Sequence, residues 1–221
     1  MYLFFKRSTD LILSILTLIG LIPLFIPIII ILKLSSEGHI FYFQERIGYN
    51  NSTFKIWKFA TMLKNSMNMG TGSITLKNDY RVTRFGRILR KTKLNELPQI
   101  INVIIGDISL VGPRPLVKKT FSAYNSLTQS KIYKIKPGIT GIGSIIFRDE
   151  ETIISTIKNE DPHDFYARVI APYKGELELW YQNHRSLILD YQLIFLTAWV
   201  IFFPESKLYE KWFKNLPKRL F

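Results

Sequence analysis

The sequence predicts a small α/β domain held on a membrane surface, a monotopic arrangement with an N-terminal re-entrant helix, a short β-hairpin and interfacial amphipathic helices. Three observations lead there. Residues 11–32 carry no charge over roughly 22 positions, about 33 Å as a helix and enough to cross a bilayer core. Basic residues flank that run, Lys6 and Arg7 before it and Lys33 after, so the positive-inside rule places both ends in the cytoplasm. Beyond it, alternating apolar segments and short helical periods succeed one another, separated by turn residues.

Composition narrows the partners. Thirty Lys+Arg against 17 Asp+Glu give a net charge of +13, which favours anionic lipid head groups, nucleic acid or phosphorylated substrates. At 47% hydrophobic and 14% aromatic the 221-residue chain is too apolar for a disordered basic tail and is long enough to bury a core. A nucleic-acid binder would need its aromatics on a soluble surface, whereas here they cluster in apolar segments. Cysteine is absent, which excludes disulfides, and the three histidines have no ligand spacing. No GxxxxGK[ST], GxGxxG or HExxH motif occurs, which argues against a dinucleotide or zinc enzyme.

In the first element, Pro23 and Pro27 interrupt the apolar run. A helix broken at Pro23 that dips into the membrane and returns satisfies both the length and the charge pattern; a straight span satisfies only the length. The run is too long for a signal peptide, and no small-residue cleavage site follows. Asp10, close to Arg7, reads as an ion pair or a helix-start charge, structural in either case.

Residues 39–59 read as a hairpin: Ile40, Phe41, Tyr42 and Phe43, an Asn50-Asn51 turn, then Phe54-Lys55-Ile56-Trp57-Lys58-Phe59 alternating apolar with basic. Residues 62–78, with small and polar side chains at 70–73, read as a mobile loop. Arg81, Arg84, Arg87 and Arg90 recur at every third position, which on a helix gives one broad basic face, solvated or aimed at a diphosphate.

The centre of the chain is 87–115. From Leu94 onward, Leu97, Ile100, Ile101, Ile104 and Ile108 form one apolar face of a short helix that Asn95 caps, with Glu96 and Pro98 in its first turn and Gly106 at its end. Gly112-Pro113-Arg114-Pro115 holds a guanidinium on a stiff extended backbone. A carboxylate, a helix N-terminus and a rigid arginine suit phosphoryl chemistry; singly, each also reads as a cap, a dipole-compensating acid or a turn. Residues 136–141 form a turn-rich loop, and Asp149, Glu150 and Glu151 after it are either a helix start or site carboxylates. Residues 187–203 have an uncharged core too short to span and form an interfacial or buried helix. Lys207, Lys211, Lys214, Lys218 and Arg219, interleaved with Trp212 and Phe213, read as an amphipathic foot on anionic lipid.

Taken together, these strings resemble the bacterial sugar transferases that act as monotopic polyprenyl-phosphate phosphoglycosyl transferases. The match runs from Lys6 to about Phe203 and is carried by Leu94-Asn95-Glu96-Leu97-Pro98-Gln99, Asn102-Val103, Gly106-Asp107-Ile108-Ser109 and Gly112-Pro113-Arg114-Pro115. Asp79-x-Arg81-x-Thr83-Arg84-x-Gly86, the hairpin and Lys136-Pro137-Gly138-Ile139-Thr140-Gly141 are similar as well. Three positions depart from the pattern: Asn95 stands where the family has the aspartate taken as its nucleophile, Ala60 where it has a basic residue, and Ile22 where it often has serine.

The resemblance implies transfer of a sugar-1-phosphate from a UDP-sugar to polyprenyl phosphate at the cytoplasmic face of the bacterial inner membrane. It implies Mg²⁺ between the diphosphate and Glu96, and phosphate contacts from Arg114, helped by Arg81, Arg84, Arg87, Arg90, Lys58 and Gln99. With Asn95 neutral, the chemistry falls to Glu96, to Asp149, Glu150 or Glu151, or to direct attack by the acceptor; an inactive membrane-bound homologue is the other reading. The expected divisions are a membrane helix at 1–36, a cytoplasmic catalytic domain at 37–185, and interfacial helices with a basic tail at 186–221. The partners are the two substrates and membrane lipid, with no nucleic acid; a homo-oligomer is left open.

Overall fold

The computed structural model describes residues 1–35, 38–69, 78–157 and 160–219. Of the loop expected at 62–78, residues 70–77 lie outside them. The chain runs α1 (Tyr2–Ser35), β1 (Phe41–Ile47), β2 (Thr53–Phe59), α2 (Arg84–Lys91), α3 (Gln99–Ile105), β3 (Ser109–Val111), α4 (Lys118–Phe121), α5 (Ser126–Lys131) and β4 (Gly138–Thr140). It continues through α6 (Ile142–Ile146), α7 (Glu150–Ser155), α8 (Pro162–Phe165), α9 (Ala171–His184), α10 (Leu187–Phe202) and α11 (Leu208–Trp212).

β1 and β2 pair antiparallel from Phe41↔Phe59 to Ile47↔Thr53, the expected hairpin. Asn50 (φ 51°) and Asn51 (φ 59°) take the left-handed conformation that asparagine tolerates better than other side chains with a Cβ. A second, unexpected sheet forms where Ser109 and Val111 pair parallel with Gly138 and Thr140, tying the turn-rich loop to the segment before Arg114. The main core packs Val111, Ile132, Ile142, Ile170, Leu177 and Leu193, all buried. A smaller cluster of Ile28, Leu32, Phe59 and Leu89 lies where α1 meets the hairpin and α2.

α1 corrects the expected break. It is one helix of 34 residues, continuous through Pro23 and Pro27, and among the described residues it alone is long and apolar enough to cross a membrane. Each proline removes one donor from the ladder, and the helical runs on either side are long enough to continue regardless. Both ends of α1 are docked on the same domain. At its start, Tyr2 and Lys6 donate to Asp190 of α10 (2.9 and 3.0 Å). Arg7 donates to the Val103 and Ile104 carbonyls (2.7 and 2.9 Å), satisfying the C-terminal end of α3. Among the described residues Asp10 has no ion-pair partner, and it lies inside α1 rather than at its start: buried, it accepts from the Ser109 hydroxyl (2.7 Å) and the Leu110 amide (3.2 Å).

Near its end α1 buries Ile28 and Leu32 against Phe59 and Leu89. Between the two docking points Ile12, Leu16, Ile19, Ile22 and Ile26 are each more than half exposed. At the C-terminus α10 buries Leu189, Leu193, Leu196 and Val200 and exposes Ile188, Tyr191 and Phe195. Trp212 stacks on Phe195 (5.5 Å between centroids) while Phe213 is buried, so the basic foot is attached to α10 rather than trailing free.

Because one domain holds both ends of α1, the two ends lie on the same side of any membrane that its apolar face enters. Single cysteines replacing Leu3 and Leu34 in this cysteine-free chain are therefore expected to be labelled by an impermeant thiol reagent together, either both in intact cells or both only after permeabilisation. Labelling of one and not the other in intact cells would mean a span.

Candidate active site

The segment around Glu96 is shaped by three local constraints. Thr83 caps α2, accepting from the Gly86 amide (3.0 Å). Gly86 lies so close to the hairpin exit that a Cβ there would stand 2.2 Å from the Thr61 carbonyl oxygen, so only glycine allows this approach. Lys93 then takes a left-handed conformation (φ 60°), turning the chain into a short 3-10 turn at Leu94–Glu96 before α3 begins. Asn95 is therefore not the cap of the apolar helix: two short elements replace the expected single one, and Pro98 occupies the position before α3 without a side-chain bond. Gly106 does end α3, at φ 96°, and Ile108 lies beyond it, fully buried.

Glu96 lies in a cleft of about 440 Å³ lined by residues of the hairpin, α2, the 3-10 turn, α7 and α9. Its Oε1 accepts from Arg114 Nη2 (2.7 Å) and from Lys58 Nζ (3.4 Å), while Oε2 makes neither contact. Burial alone would raise the Glu96 carboxyl, but the Arg114 guanidinium and the Lys58 ammonium outweigh it and hold the group well below the usual carboxylate range. For Lys58 burial wins: opposed by Glu96 and reinforced by Arg46, Arg114 and Arg90, it lowers the ammonium to about 7. Cations thus outnumber acids at the centre, which suits an incoming anion.

Asn95 lines the same cleft at 7% exposure, and its Oδ1 has no hydrogen-bond partner among the described residues. On the far wall Arg90 pairs with Glu151 (3.0 Å) and Lys174 with Glu150. The residues at 149–151 are thus both a helix start and, for two of the three, cleft carboxylates. Glu96, Asn95, Glu150, Arg114, Lys58 and Arg90 are brought together as expected from the sequence.

Five expected residues are not. Arg81 precedes α2 and is buried, its guanidinium taken by Asp79 (2.6 Å) and by the Ser66 and Met69 carbonyls (2.8 Å each). Arg84 and Arg87 lie on the exposed face of α2, Gln99 is buried behind the lining, and Asp149 is exposed outside it. The three-residue spacing of the arginines begins at Arg81, before α2 starts, so the four do not share one helix face.

Sequence reasoning missed Arg46 and Lys174. The hairpin register that pairs Tyr42 with Lys58 also puts Arg46 on the Lys58 face of the sheet, a signal that strict alternation could have supplied. Lys174 gave none, because a lysine one turn before Glu178 reads as an ordinary solvated pair.

Among the described residues no group of three or more His, Asp or Glu side chains could hold a metal ion. A single cleft carboxylate with one oxygen outside the Arg114 and Lys58 contacts does fit Mg²⁺, which takes one or two carboxylates and completes its shell with phosphate oxygens and water.

Arg114→Lys is expected to lower turnover by about tenfold or more, because an ammonium cannot span a carboxylate and a phosphate as the planar fork does. Wild-type rates in that variant would reduce Gly112-Pro113-Arg114-Pro115 to a turn. UDP-sugar affinity should decline as pH rises past about 7, where burial releases the Lys58 proton while the diphosphate diester keeps its charge, and the decline should be absent in Lys58→Met. Calorimetric titrations across that range test the sign, and an affinity that rises with pH would refute it.

A model of the bacterial sugar transferase family matches residues 1–204. The chain is 34% identical over 206 residues to the exopolysaccharide production protein ExoY of Sinorhizobium fredii, covering 87% of this chain and 83% of that protein. It is 36% identical over 205 residues to the UDP-glucose:undecaprenyl-phosphate glucose-1-phosphate transferase of Klebsiella pneumoniae, covering 91% of this chain but 41% of the relative. With the UDP-N-acetylgalactosamine-undecaprenyl-phosphate N-acetylgalactosaminephosphotransferase of Aeromonas hydrophila the identity is 33% over 199 residues, 89% of this chain and 43% of the relative. The chain thus spans most of one relative and about two fifths of the other two, and it belongs to the bacterial sugar transferase family.

Proposed function

We propose that this protein transfers a sugar-1-phosphate from a UDP-sugar to polyprenyl phosphate, giving polyprenyl-diphosphate-sugar and UMP as the first membrane step of a surface polysaccharide or other glycoconjugate. The observation that carries the reading is the group of cations around Glu96, in a cleft whose wall residues Phe41 and Phe59 also pack on α1. An anionic substrate and a lipid-borne one can meet there. The Klebsiella and Aeromonas relatives, named for transfer of glucose-1-phosphate and of N-acetylgalactosamine phosphate to undecaprenyl phosphate, support the acceptor and leave the sugar open.

In this reading Arg114, Lys58 and Arg90 hold diphosphate oxygens, and Glu96 keeps the first two aligned. The acceptor's phosphate oxygen attacks the sugar-bearing phosphorus in line, the bond from that phosphorus to the bridging oxygen breaks, and UMP leaves with the electron pair. Direct attack is favoured because the amide of Asn95 cannot ionise, Glu96 carries two cations, and Glu150 is engaged by Lys174. Asn95 donates a hydrogen bond to a phosphate oxygen, and Glu150 assists by keeping Lys174 at the cleft wall. Mg²⁺, held by Glu96, would neutralise diphosphate charge as it shifts onto the leaving group.

The exposed face of α1 and the Phe195, Trp212 and lysine-rich C-terminal surface would lie in the cytoplasmic leaflet of the bacterial inner membrane.

Purified protein given a panel of UDP-sugars with and without polyprenyl phosphate tests the reading. The expected result is lipid-linked product with matching UMP for at least one sugar, and no UMP without acceptor. A burst of UMP without acceptor would replace direct attack by a covalent intermediate. UDP-sugar binding with no transfer from any of them would make the chain a binding protein.

A further inference from the structure

The placement of Arg114 depends on side chains that do not belong to the cleft centre. Between Arg114 and Leu116 the backbone has five polar groups, since Pro115 lacks an N–H. Four of the five are met by side chains. The Arg114 amide donates to Glu178 Oε1 of α9 (3.4 Å), and the Arg114 carbonyl accepts from the Tyr133 hydroxyl (2.7 Å). The same hydroxyl accepts from the Leu116 amide (3.0 Å), and Arg46 Nη1 donates to the Pro115 carbonyl (3.0 Å). Only the Leu116 carbonyl has a backbone partner, the Ile47 amide (2.8 Å).

Tyr133 and Glu178 are each 1% exposed, so neither can touch a substrate. Tyr133 is held by stacking on Phe121 (5.6 Å between centroids, 23° between planes). Glu178 fits because residue 143 is glycine: a Cβ there would stand 2.3 Å from its Oε1. Burial, opposed by Lys174 and the Arg114 amide, lifts Glu178 to about 7, and a carboxyl keeps an acceptor oxygen in either protonation state.

We infer that Tyr133 and Glu178 are positioning residues for diphosphate binding: they hold the two peptide groups that flank the Arg114 Cα, one at its carbonyl and the other at its N–H, and so fix where the guanidinium meets phosphate. This rests on the reading of Arg114 as a diphosphate contact. Proline on both sides stiffens the backbone of Arg114 but offers no hydrogen bond to fix the two peptide planes that meet at its Cα; the tyrosine and the glutamate, from separate parts of the chain, each hold one of them.

Double-mutant cycles test it. Tyr133→Phe and Glu178→Leu are each made in the wild-type and the Arg114→Lys backgrounds and read twice, in kcat and KM for transfer and in calorimetric affinity for UDP. Loss of one positioning hydrogen bond is expected to lower kcat and UDP affinity by about three- to tenfold in the wild-type background, and by less than about twofold when Arg114 is already lysine. Glu178→Gln, which keeps an acceptor oxygen, should lose less than Glu178→Leu.

Equal losses in both backgrounds would show that the two residues act on the fold at large and would overturn the inference, as would unchanged values in Tyr133→Phe. If one of the two variants does not fold, the cycle on the other gives the same decision. A wild-type protein that binds UDP but transfers nothing removes the transferase reading while leaving the UDP cycle decisive; one that does not bind UDP overturns both.

Discussion

The ion cluster of Glu96 with Arg114 and Lys58 is the constraint to which the cleft is built. A carboxylate taken partly out of water has to be matched by charge and hydrogen bonds, and two cations on one oxygen more than match it. The consequence is a site that is electrostatically incomplete in the absence of an anion. Lys58 registers this directly, because burial among other cations pulls its proton affinity toward neutrality despite the adjacent carboxylate. The hairpin brings Lys58 and Arg46, the paired segments β3 and β4 lead to Arg114, and the left-handed Lys93 turns Glu96 inward. Three unrelated pieces of backbone thus share one electrostatic task.

How far the sequence revealed this depended on whether a feature was local. The hairpin was readable because strand alternation and left-handed asparagines are both local signals, and its register came out as the pattern requires. The string from Leu94 to Pro115 disclosed an acid and an arginine that meet in the cleft. It misplaced the helix start, because a positive φ at a lysine has no sequence signature and Asn95 resembles a cap by composition. The arginine series misled for a related reason: a three-residue spacing implies a face only if one helix carries it, and Arg81 precedes α2. Long-range features, among them the parallel pairing of Ser109 with Gly138 and the Lys174–Glu150 pair, depend on how the chain closes on itself and left no local trace.

Asn95 illustrates how a local departure acquires meaning from its surroundings. On a surface its amide would be solvated and unremarkable. Here its amide oxygen is shut away from water without a partner among the described residues, an arrangement that costs ~1–3 kcal/mol when nothing completes it. Its neighbours are acids already bound to cations, so the neutral side chain lowers the negative charge of the wall beside which an anion must settle.

The double docking of α1 determines more than topology. With its first turns fixed to α3, β3 and α10 and its last to the hairpin, the helix has little freedom to tilt relative to the domain. On the placement proposed for α1, the domain would float at a constant draught, with the height of the cleft above the lipid set by the helix itself and not by a hinge. The proposed acceptor, confined to that bilayer, would then need only a two-dimensional search and would reach the cleft with its polar end already at the correct level.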